Sequence, residues 1–252
     1  MINQTQFKDK VAIVTGGGSG IGKETSMLFA SYGAKIAVID NRNIEGLQTS
    51  EMIKQAGGES TFFPCDVSDE INVKETMANI ERTYGSIDYA YNNAGIGGGF
   101  GKIQDYATPD WDLVMQINLK GVFLCMKYEI PAMLRSGKGA IVNCASVLST
   151  VCYENDSAYV ASKFGVLGLT KNAALDYANS PIRINAVSPG FTYTAMVMKG
   201  DEQKIKQLEQ RHPAGRLATA GEIANAVLWL CANESSFAIG HNLVLDGGYT
   251  LL

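Results

Sequence analysis

The sequence is short of the residues that mark several protein classes. It holds only 6 prolines and 2 histidines among 252 residues, and its 5 cysteines include no Cys-x-x-Cys pair. Neither His212 nor His241 has a cysteine or a second histidine at ligand spacing, so we predict no metal site. Scattered cysteines within apolar runs indicate reduced core thiols in a reducing compartment.

The sequence also lacks a strong excess of charge of one sign and lacks long hydrophobic runs. The net charge of −4, from 21 Lys+Arg against 25 Asp+Glu, provides no basic stripe for nucleic acid. No apolar run is long enough to span a bilayer, and the first residues lack a basic-then-apolar signal. We therefore expect a soluble, cytoplasmic protein with neither nucleic acid nor membrane as a partner.

Glycine, in contrast, is abundant, with 27 residues. The absence of a Gly-X-Y period excludes collagen, and a hydrophobic content of 46% excludes a disordered linker. The glycines therefore belong to a globular protein, which is long enough to bury a large core.

Short β-branched runs alternate with longer segments of helical period. The predicted strands are Val11–Thr15, Lys35–Asp40, Ser60–Asp66, Asp88–Asn93, Ala140–Ser146, Ile182–Ser188 and Leu243–Asp246. The predicted helices lie near 20–32, 43–56, 69–84, 109–136, 157–179 and 219–233. Several strands are apolar throughout, as is typical of strands buried on both faces of a parallel sheet. The pattern predicts one α/β domain over residues 1–252, a doubly wound parallel sheet of about seven strands in three α/β/α layers.

The segment 191–212 interrupts this alternation before the last helix. A connection of this length is either a mobile lid or a plain surface excursion.

The first strand leads directly into the glycine-rich stretch Thr15–Lys23 and then into a helix. Such a loop lets backbone amides at a helix N-terminus approach a phosphate. A P-loop would need Ser or Thr after the lysine, but Glu24 stands there. The glycines that remain are Gly16, Gly20 and Gly22, in the spacing G-x-x-x-G-x-G, which favours a dinucleotide site.

Asp40 ends the second predicted strand, twenty residues after Gly20. A carboxylate there can accept hydrogen bonds from adenosine ribose hydroxyls and would repel a 2′-phosphate. The alternative is that Asp40 caps the next helix. Arg42 could meet a 2′-phosphate, so we predict NAD as the cofactor and keep NADP as the less favoured alternative.

Four polar residues are candidates for chemistry. Tyr159 and Lys163 lie four apart on one helix face, where the ammonium favours the phenolate and makes the phenol a usable acid/base. Ser146 ends a predicted strand, the position where ligands bind in open α/β sheets, although a turn or capping hydroxyl is the commoner role. Asn118 lies on an apolar helix stripe and needs hydrogen-bond partners, so a structural role is equally open. The sequence around Ser146 lacks the G-x-S-x-G pattern of a hydrolase.

Taken together, these motifs resemble the short-chain dehydrogenase/reductase family from about residue 8 to the closing Leu245–Gly248. The residues that carry the resemblance are Thr15–Gly22, Asp66-Val67, Asn92–Gly95, Asn118, Ser146, Tyr159-x-x-x-Lys163 and Pro189-Gly190. The resemblance implies a Rossmann-type fold and an NAD(P)-dependent oxidoreductase, an alcohol dehydrogenase or ketoreductase, that is often a homotetramer. Small residues on the helix of Tyr159 would permit close packing against a partner helix; they are Ala161, Gly165, Gly168, Ala173 and Ala174.

The resemblance also implies a role for each site residue. Tyr159 would be the acid/base, Ser146 would bind the substrate oxygen, Lys163 would assist Tyr159 and bind the nicotinamide ribose, and Asn118 would anchor a water in the proton relay. The cofactor-binding residues implied are Gly16, Ser19, Gly20, Ile21, Gly22, Asp40, Asp66, Val67, Asn93, Ala94, Gly95, Tyr159, Lys163, Pro189, Gly190, Thr192 and Thr194. The segment 191–212 would be the substrate lid.

The substrate pocket is expected to form from Ile96–Tyr106, Val147–Ser157 and the lid. These segments carry Phe100, Tyr106, Leu148, Tyr153, Phe191, Tyr193, Met196 and Met198. They predict a largely apolar pocket for a small secondary alcohol or ketone, cyclic or medium-sized. Glu154 and Asp156 could favour an amine or several hydroxyls, but we expect these loop acids to point into water.

Two other functions stay open at this point. The chain could be a phosphotransferase that uses Gly17–Lys23 as a degenerate P-loop, or a non-catalytic NAD-sensing protein on the same fold.

Overall fold

The computed structural model describes residues 3–198 and 202–251. Within them, seven parallel strands form one sheet in the order β3-β2-β1-β4-β5-β6-β7. The strands are β1 Val11–Thr15, β2 Lys35–Asp40, β3 Glu59–Pro64, β4 Tyr89–Asn92, β5 Gly139–Cys144, β6 Ile182–Pro189 and β7 Asn242–Leu245. The predicted strands are confirmed, with ends that shift by one or two residues.

The helices are α1 Gly20–Ser31, α2 Asn43–Gln55, α3 Glu70–Tyr84, α4 Thr108–Met115, α5 Gly121–Ser136, α6 Ser157–Asp176, α7 Ala195–Met198, α8 Glu202–Gln210 and α9 Ala220–Cys231. They flank the sheet in the Rossmann-like arrangement that the sequence predicts. Within the described ranges, no helix is both long enough and apolar enough to cross a membrane.

Strand β1 shows why both faces of the sheet are covered. Its five residues are all buried. Val11 and Ile13 belong to one hydrophobic core, whereas Ala12 and Val14 belong to a second core on the other face. Successive side chains of a strand point to opposite faces, so a strand buried on both sides is apolar throughout.

The site position follows from the strand order. Strand β1 lies between β2 and β4, so the chain winds in opposite directions from β1. Ligands of open α/β sheets bind beyond the carboxyl ends of the strands at such a switch point. The glycine-rich loop leaves β1 at this end.

The single helix predicted over 109–136 is wrong in one detail. A π-helical turn, Gln116–Lys120, separates α4 from α5. Asn118 lies in this turn and its side chain is bonded to the backbone of Ile96. We attribute the π-helical turn to the two hydrogen bonds between the Asn118 side chain and the Ile96 backbone. Such π-helical turns are frequent at functional sites.

Two predictions concern segments that the structure describes in part. The segment 191–212 contains α7 and α8, while residues 199–201 lie outside the described part. Its function as a lid and the assignment of one domain to residues 1–252 stay predictions. Four cysteines are buried as expected, but Cys152 is exposed.

Candidate active site

The glycine-rich loop has a shape that only glycine permits. Gly16 and Gly20 have φ values of 62° and 52°, in the left-handed region. A Cβ atom on Gly22 would lie 2.3 Å from the carbonyl oxygen of Gly16. Helix α1 then begins at Gly20 with no acidic residue in its first turn. The backbone amides and the helix dipole at this end therefore fit a phosphate group.

Thr15 and Asn93 fasten the loop to the end of β4. The Thr15 hydroxyl accepts hydrogen bonds from the amides of Asn93 (3.0 Å) and Ala94 (3.1 Å). The Asn93 side chain donates to the carbonyl oxygens of Thr15 (3.0 Å) and Gly16 (3.2 Å). The loop is thus held in shape by hydrogen bonds within the protein.

Asp40 supports the same loop from β2. It is 4% exposed, and its carboxylate accepts from the amides of Gly18 and Arg42, both at 2.9 Å. Arg42 occupies the N-cap position of α2 and no side-chain capping bond is made there, so the helix-capping alternative for Asp40 is not seen. The Arg42 guanidinium contacts Asp40 at 3.3 Å and Glu45 at 3.6 Å, and it donates to Ser19 Oγ at 2.7 Å.

Asp66 and Val67 follow β3 at the same edge of the sheet. Asp66 is exposed, and its carboxylate accepts from the amide and the hydroxyl of Ser68. Val67 is buried against Gly121, where an added Cβ would lie 2.8 Å from Val67 Cγ2. Both can therefore flank a nucleotide base lying across the strand ends.

The residues predicted after β6 reach the glycine-rich loop. Strand β6 ends at Pro189, and the buried Thr192 donates through its hydroxyl to the carbonyl of Gly190 at 3.0 Å. An added Cβ on Gly20 would lie 3.2 Å from Thr194 Cγ2. The chain after β6 thus faces the loop after β1.

Tyr159 and Lys163 lie on α6 as predicted. Lys163 is 4% exposed, and its ammonium donates to the carbonyl oxygen of Cys144 at 2.7 Å. The same ammonium is 5.5 Å from the centre of the Tyr159 ring. The end of β5 therefore holds the Lys163 ammonium beside the partly exposed ring of Tyr159.

Ser146 lies two residues beyond β5 and is 7% exposed. Its Oγ accepts a hydrogen bond from the Leu148 amide at 3.1 Å, so it does form the turn that we considered as its structural role. A hydroxyl that accepts in this way still has its own hydrogen to donate.

Asn118 is fully buried and connects two segments. Its Oδ1 accepts from the Ile96 amide, and its Nδ2 donates to the Ile96 carbonyl, both at 2.9 Å. Nδ2 also lies 3.2 Å from Ser162 Oγ on α6. The asparagine therefore fixes the chain that follows Gly95 to the helix of Tyr159.

The three predicted wall segments of the pocket come together. The Gly101 amide donates to the Asn155 carbonyl at 2.8 Å. The ring centroids of Tyr153 and Phe191 are 6.0 Å apart, and Phe191 is 5.8 Å from Tyr249. The side chains of Met196 and Met198 lie outside the described part.

A buried carboxyl group lies behind the strand ends. Glu129 of α5 is fully buried and accepts from Asn92 Nδ2 at 3.0 Å. Burial raises the pKa of Glu129 to about 8, so the carboxyl is mainly neutral at pH 7. Asn92 also donates to Asn143, whose amide bonds to Thr170 on α6.

Several supporting residues were missed by the sequence reasoning. The hydroxyls of Thr15 and Ser162 and the carbonyl of Cys144 bind the candidate residues, but a hydroxyl or a carbonyl carries no sequence signal of its partner. Glu129 could have been noticed, since a lone acid within the apolar run Gly121–Met133 needs a buried partner.

The comparisons with known proteins agree with this geometry. Residues 16–250 match a family model described as enoyl-(acyl carrier protein) reductase. The cyclohexanol dehydrogenase of Acinetobacter sp. (strain SE19) is 40% identical over 250 residues, which cover 99% of this chain and 98% of that protein.

Two solved structures are also similar. Levodione reductase has a TM-score of 0.94 at 33% identity, covering 97% of this chain and 99% of the other. NAD⁺-bound xylitol dehydrogenase has a TM-score of 0.92 at 33% identity, covering 96% and 100%. The phosphotransferase and NAD-sensor alternatives are not favoured by these matches. The chain is therefore an NAD(P)-dependent alcohol/ketone oxidoreductase that belongs to the short-chain dehydrogenase/reductase family.

Proposed function

We propose that this protein uses NAD(H) to interconvert a cyclic secondary alcohol and its ketone, with Tyr159 as the acid/base. The observation that carries the proposal is the Lys163 ammonium, held by the Cys144 carbonyl at 2.7 Å and placed 5.5 Å from the Tyr159 ring. A bound nicotinamide supplies the hydride acceptor or donor. The protein supplies position and proton transfer.

In the oxidation direction, Tyr159 takes the hydroxyl proton of the alcohol on its phenolate oxygen. Lys163 stabilises that phenolate and keeps two further N–H donors for a ribose, because only one is used by Cys144. Ser146 donates its hydroxyl hydrogen to the substrate oxygen. In the reduction direction, Tyr159 returns the proton to the forming alkoxide.

Asn118 acts in this proposal as a positioning residue. Its two bonds to Ile96 and its contact with Ser162 set the distance between α6 and the segment after β4. The water-anchoring role implied by the resemblance stays a prediction.

The preference for NAD over NADP rests on Asp40. Its buried carboxylate keeps lone pairs for ribose hydroxyls after accepting from Gly18 and Arg42. The Arg42 guanidinium contacts two acids, Asp40 and Glu45, which offset the charge that would attract a 2′-phosphate. The NAD⁺-bound xylitol dehydrogenase neighbour is in keeping with this choice.

The substrate class rests on two further observations. The pocket walls bring together aromatic rings, including Tyr153 and Phe191 at 6.0 Å. The similar proteins are named for a cyclohexanol and for levodione. We therefore expect a six-membered ring that carries a secondary alcohol or a ketone.

An activity screen tests this function. NAD⁺ or NADP⁺ is mixed with a panel of cyclic and linear secondary alcohols, and the absorbance of the reduced cofactor is followed. We expect turnover with NAD⁺ and cyclic alcohols, enhanced NADH fluorescence on binding, and no Mg²⁺-dependent ATP binding. Binding of Mg-ATP without NADH binding would defeat the proposal.

We also propose that the protein is a homotetramer and that α4, the π-helical turn, α5 and α6 form one of its interfaces. These elements line an open, mainly apolar groove of about 690 Å³.

An added Cβ on Gly168 would meet nothing within 4 Å, so Gly168→Arg leaves the single chain unstrained. Light scattering should show dissociation for Gly168→Arg but not for Gly221→Arg, an equally open glycine on α9. An unchanged mass for Gly168→Arg would contradict the interface.

The cytoplasm is the compartment that we propose. The five cysteines are unpaired, and the exposed Cys152 would persist as a thiol in a reducing environment.

A further inference from the structure

Three buried polar atoms lie where the segment 97–106 meets the start of α6. They are Tyr106 Oη, Asp156 Oδ1 and Ser157 Oγ. Within the described residues none has a hydrogen-bond partner of good geometry, although the Gly99 backbone lies near Tyr106 Oη. Gly101 pairs with Asp156 as an isolated β-bridge, and its amide donates to the Asn155 carbonyl. Three orphaned oxygens at one junction indicate that something outside the chain pairs with them, because an unpaired buried polar group is costly.

Asp156 is the most unusual of the three. The sequence reasoning expected it to point into water, and this expectation is wrong, because Asp156 is 7% exposed. Glu154, two residues earlier, is exposed as expected. Burial raises the pKa of Asp156 to about 6, and no cation contributes to the shift. At pH 7 the group is therefore a mainly ionised, buried carboxylate that needs a donor.

Asp156 lies close to Tyr159 in the chain, so a ligand bound at Tyr159 can supply the hydrogen-bond donor that Asp156 needs. Asp156 is the N-cap of α6, and Tyr159 follows it by three residues. The N-cap lies directly before the first turn of a helix, and that turn carries Tyr159. A ligand with one oxygen at Tyr159 can therefore place a second polar group near Asp156.

The hydrogen-bonding capacities of Asp156 and Tyr106 determine which polar group of a ligand fits between them. Burial raises the pKa of the Tyr106 phenol, and the nearby carboxylates of Asp156 and of Asp110 on α4 raise it further, against an opposing backbone bond at Gly99. A carboxylate only accepts hydrogen bonds, whereas a phenol also donates one. A hydroxyl matches both, since it can donate to Asp156 while it accepts from Tyr106. An ammonium cannot accept, and an anion would meet two carboxylates.

We propose that Asp156 and Tyr106 form a polar subsite that binds a second hydroxyl group of the alcohol deprotonated by Tyr159. The subsite makes the preferred substrate a diol, with the remote hydroxyl held at the start of α6 and the apolar ring between the two ends. This inference rests on the proposed function, because Tyr159 must bind the reacting hydroxyl.

The test compares cyclohexane-1,4-diol with cyclohexanol. The ratio of kcat/KM for the diol to kcat/KM for cyclohexanol is measured with NAD⁺ at pH 8, where Asp156 is ionised. One hydrogen bond to a charged group contributes about tenfold or more. We therefore expect a ratio of roughly ten in the wild type and a fall to about one in Asp156→Ala and in Tyr106→Phe.

Glu154→Ala is the matched control, because this acid is close in sequence but exposed. It should keep the wild-type ratio. If Asp156→Ala fails to fold, as judged by circular dichroism, Tyr106→Phe decides alone, since it deletes a single oxygen. An equal ratio in the wild type and the variants would overturn the subsite while leaving the proposed function intact. A wild type that oxidises no alcohol would overturn both.

Discussion

The cofactor side and the substrate side of the site differ in how their buried polar groups are paired. On the cofactor side, the Thr15 hydroxyl accepts two amides, the Asn93 amide donates to two carbonyls, and the Asp40 carboxylate accepts two amides. On the substrate side, Tyr106 Oη and Asp156 Oδ1 are buried without a partner within the described residues.

This difference indicates that the substrate side of the site, with its unpaired polar atoms, discriminates among ligands. A loop whose shape is held by side-chain hydrogen bonds within the protein needs no ligand to form, and its backbone amides stay available for the cofactor. A pocket with unpaired polar atoms gains most from a ligand that pairs with them. We therefore expect rigid cofactor recognition beside a substrate pocket that discriminates by hydrogen bonding.

The largest expected effect on cofactor affinity is tested by a pair of glycine variants, one on each side of the site. In Gly22→Ala the new Cβ would lie 2.3 Å from the Gly16 carbonyl oxygen, so the loop must shift. Overpacking of this kind costs about 1–3 kcal/mol, which lowers NADH affinity roughly 5- to 150-fold. Fluorescence titration with NADH measures the loss.

Gly97→Ala is the control on the substrate rim. An added Cβ there meets nothing within 4 Å. NADH affinity should stay within about twofold of the wild type. Equal losses in both variants would contradict the contrast between a tightly packed loop and an open rim.

A second prediction concerns the choice of cofactor. Asp40→Asn removes the charge that repels a 2′-phosphate and frees Arg42 from its ion pair. We expect the ratio of kcat/KM for NAD⁺ to that for NADP⁺ to fall about tenfold. Arg42→Gln in the same assay should raise that ratio or leave it unchanged. A wild type that already prefers NADP⁺ would exclude the role assigned to Asp40.

A third and smaller effect is the pH dependence of stability. The pKa of Glu129 is about 8 in the folded protein, above its ordinary value, so its contribution to the free energy of unfolding is complete at low pH. The contribution is lost as pH rises towards 8, by about 1.4 kcal/mol per pH unit. Glu129→Gln stays neutral, so urea titrations between pH 6 and 8 should show a flatter profile than the wild type.

Asp156→Asn provides the counterpart on the substrate side. The pKa of Asp156 is about 6, so its stabilising contribution is already lost when the pH passes 6. This variant should flatten the profile below pH 6 and leave the slope between pH 6 and 8 as in the wild type. Identical profiles for both variants would show that the two carboxyls do not titrate separately.

The fold and the chemical groups of the site were largely predictable, for a physical reason. Doubly buried strands are apolar throughout, and strand β1 therefore stands out in the sequence together with the glycine spacing that follows it. Tyr159 and Lys163 are visible because helix periodicity links residues four apart. These signals are local in the chain.

The features that escaped prediction depend on contacts between distant segments. Asp156 was expected in water, because nothing in its own neighbourhood shows that the segment 97–106 covers it. The π-helical turn at Asn118 depends on the backbone of Ile96, which is 22 residues away. Arg42 was recognised as a charge, but its contact with Ser19 appears only when β1 and β2 pair.

The most direct test of the account is a pair of readouts on Tyr159→Phe. NADH binding is measured by fluorescence, and NAD⁺ reduction by cyclohexanol is followed on the same preparation. We predict NADH affinity within about threefold of the wild type and a turnover at least about 100-fold lower, because only the proton-transferring oxygen is removed. Turnover equal to that of the wild type would contradict the assignment of Tyr159 as the acid/base.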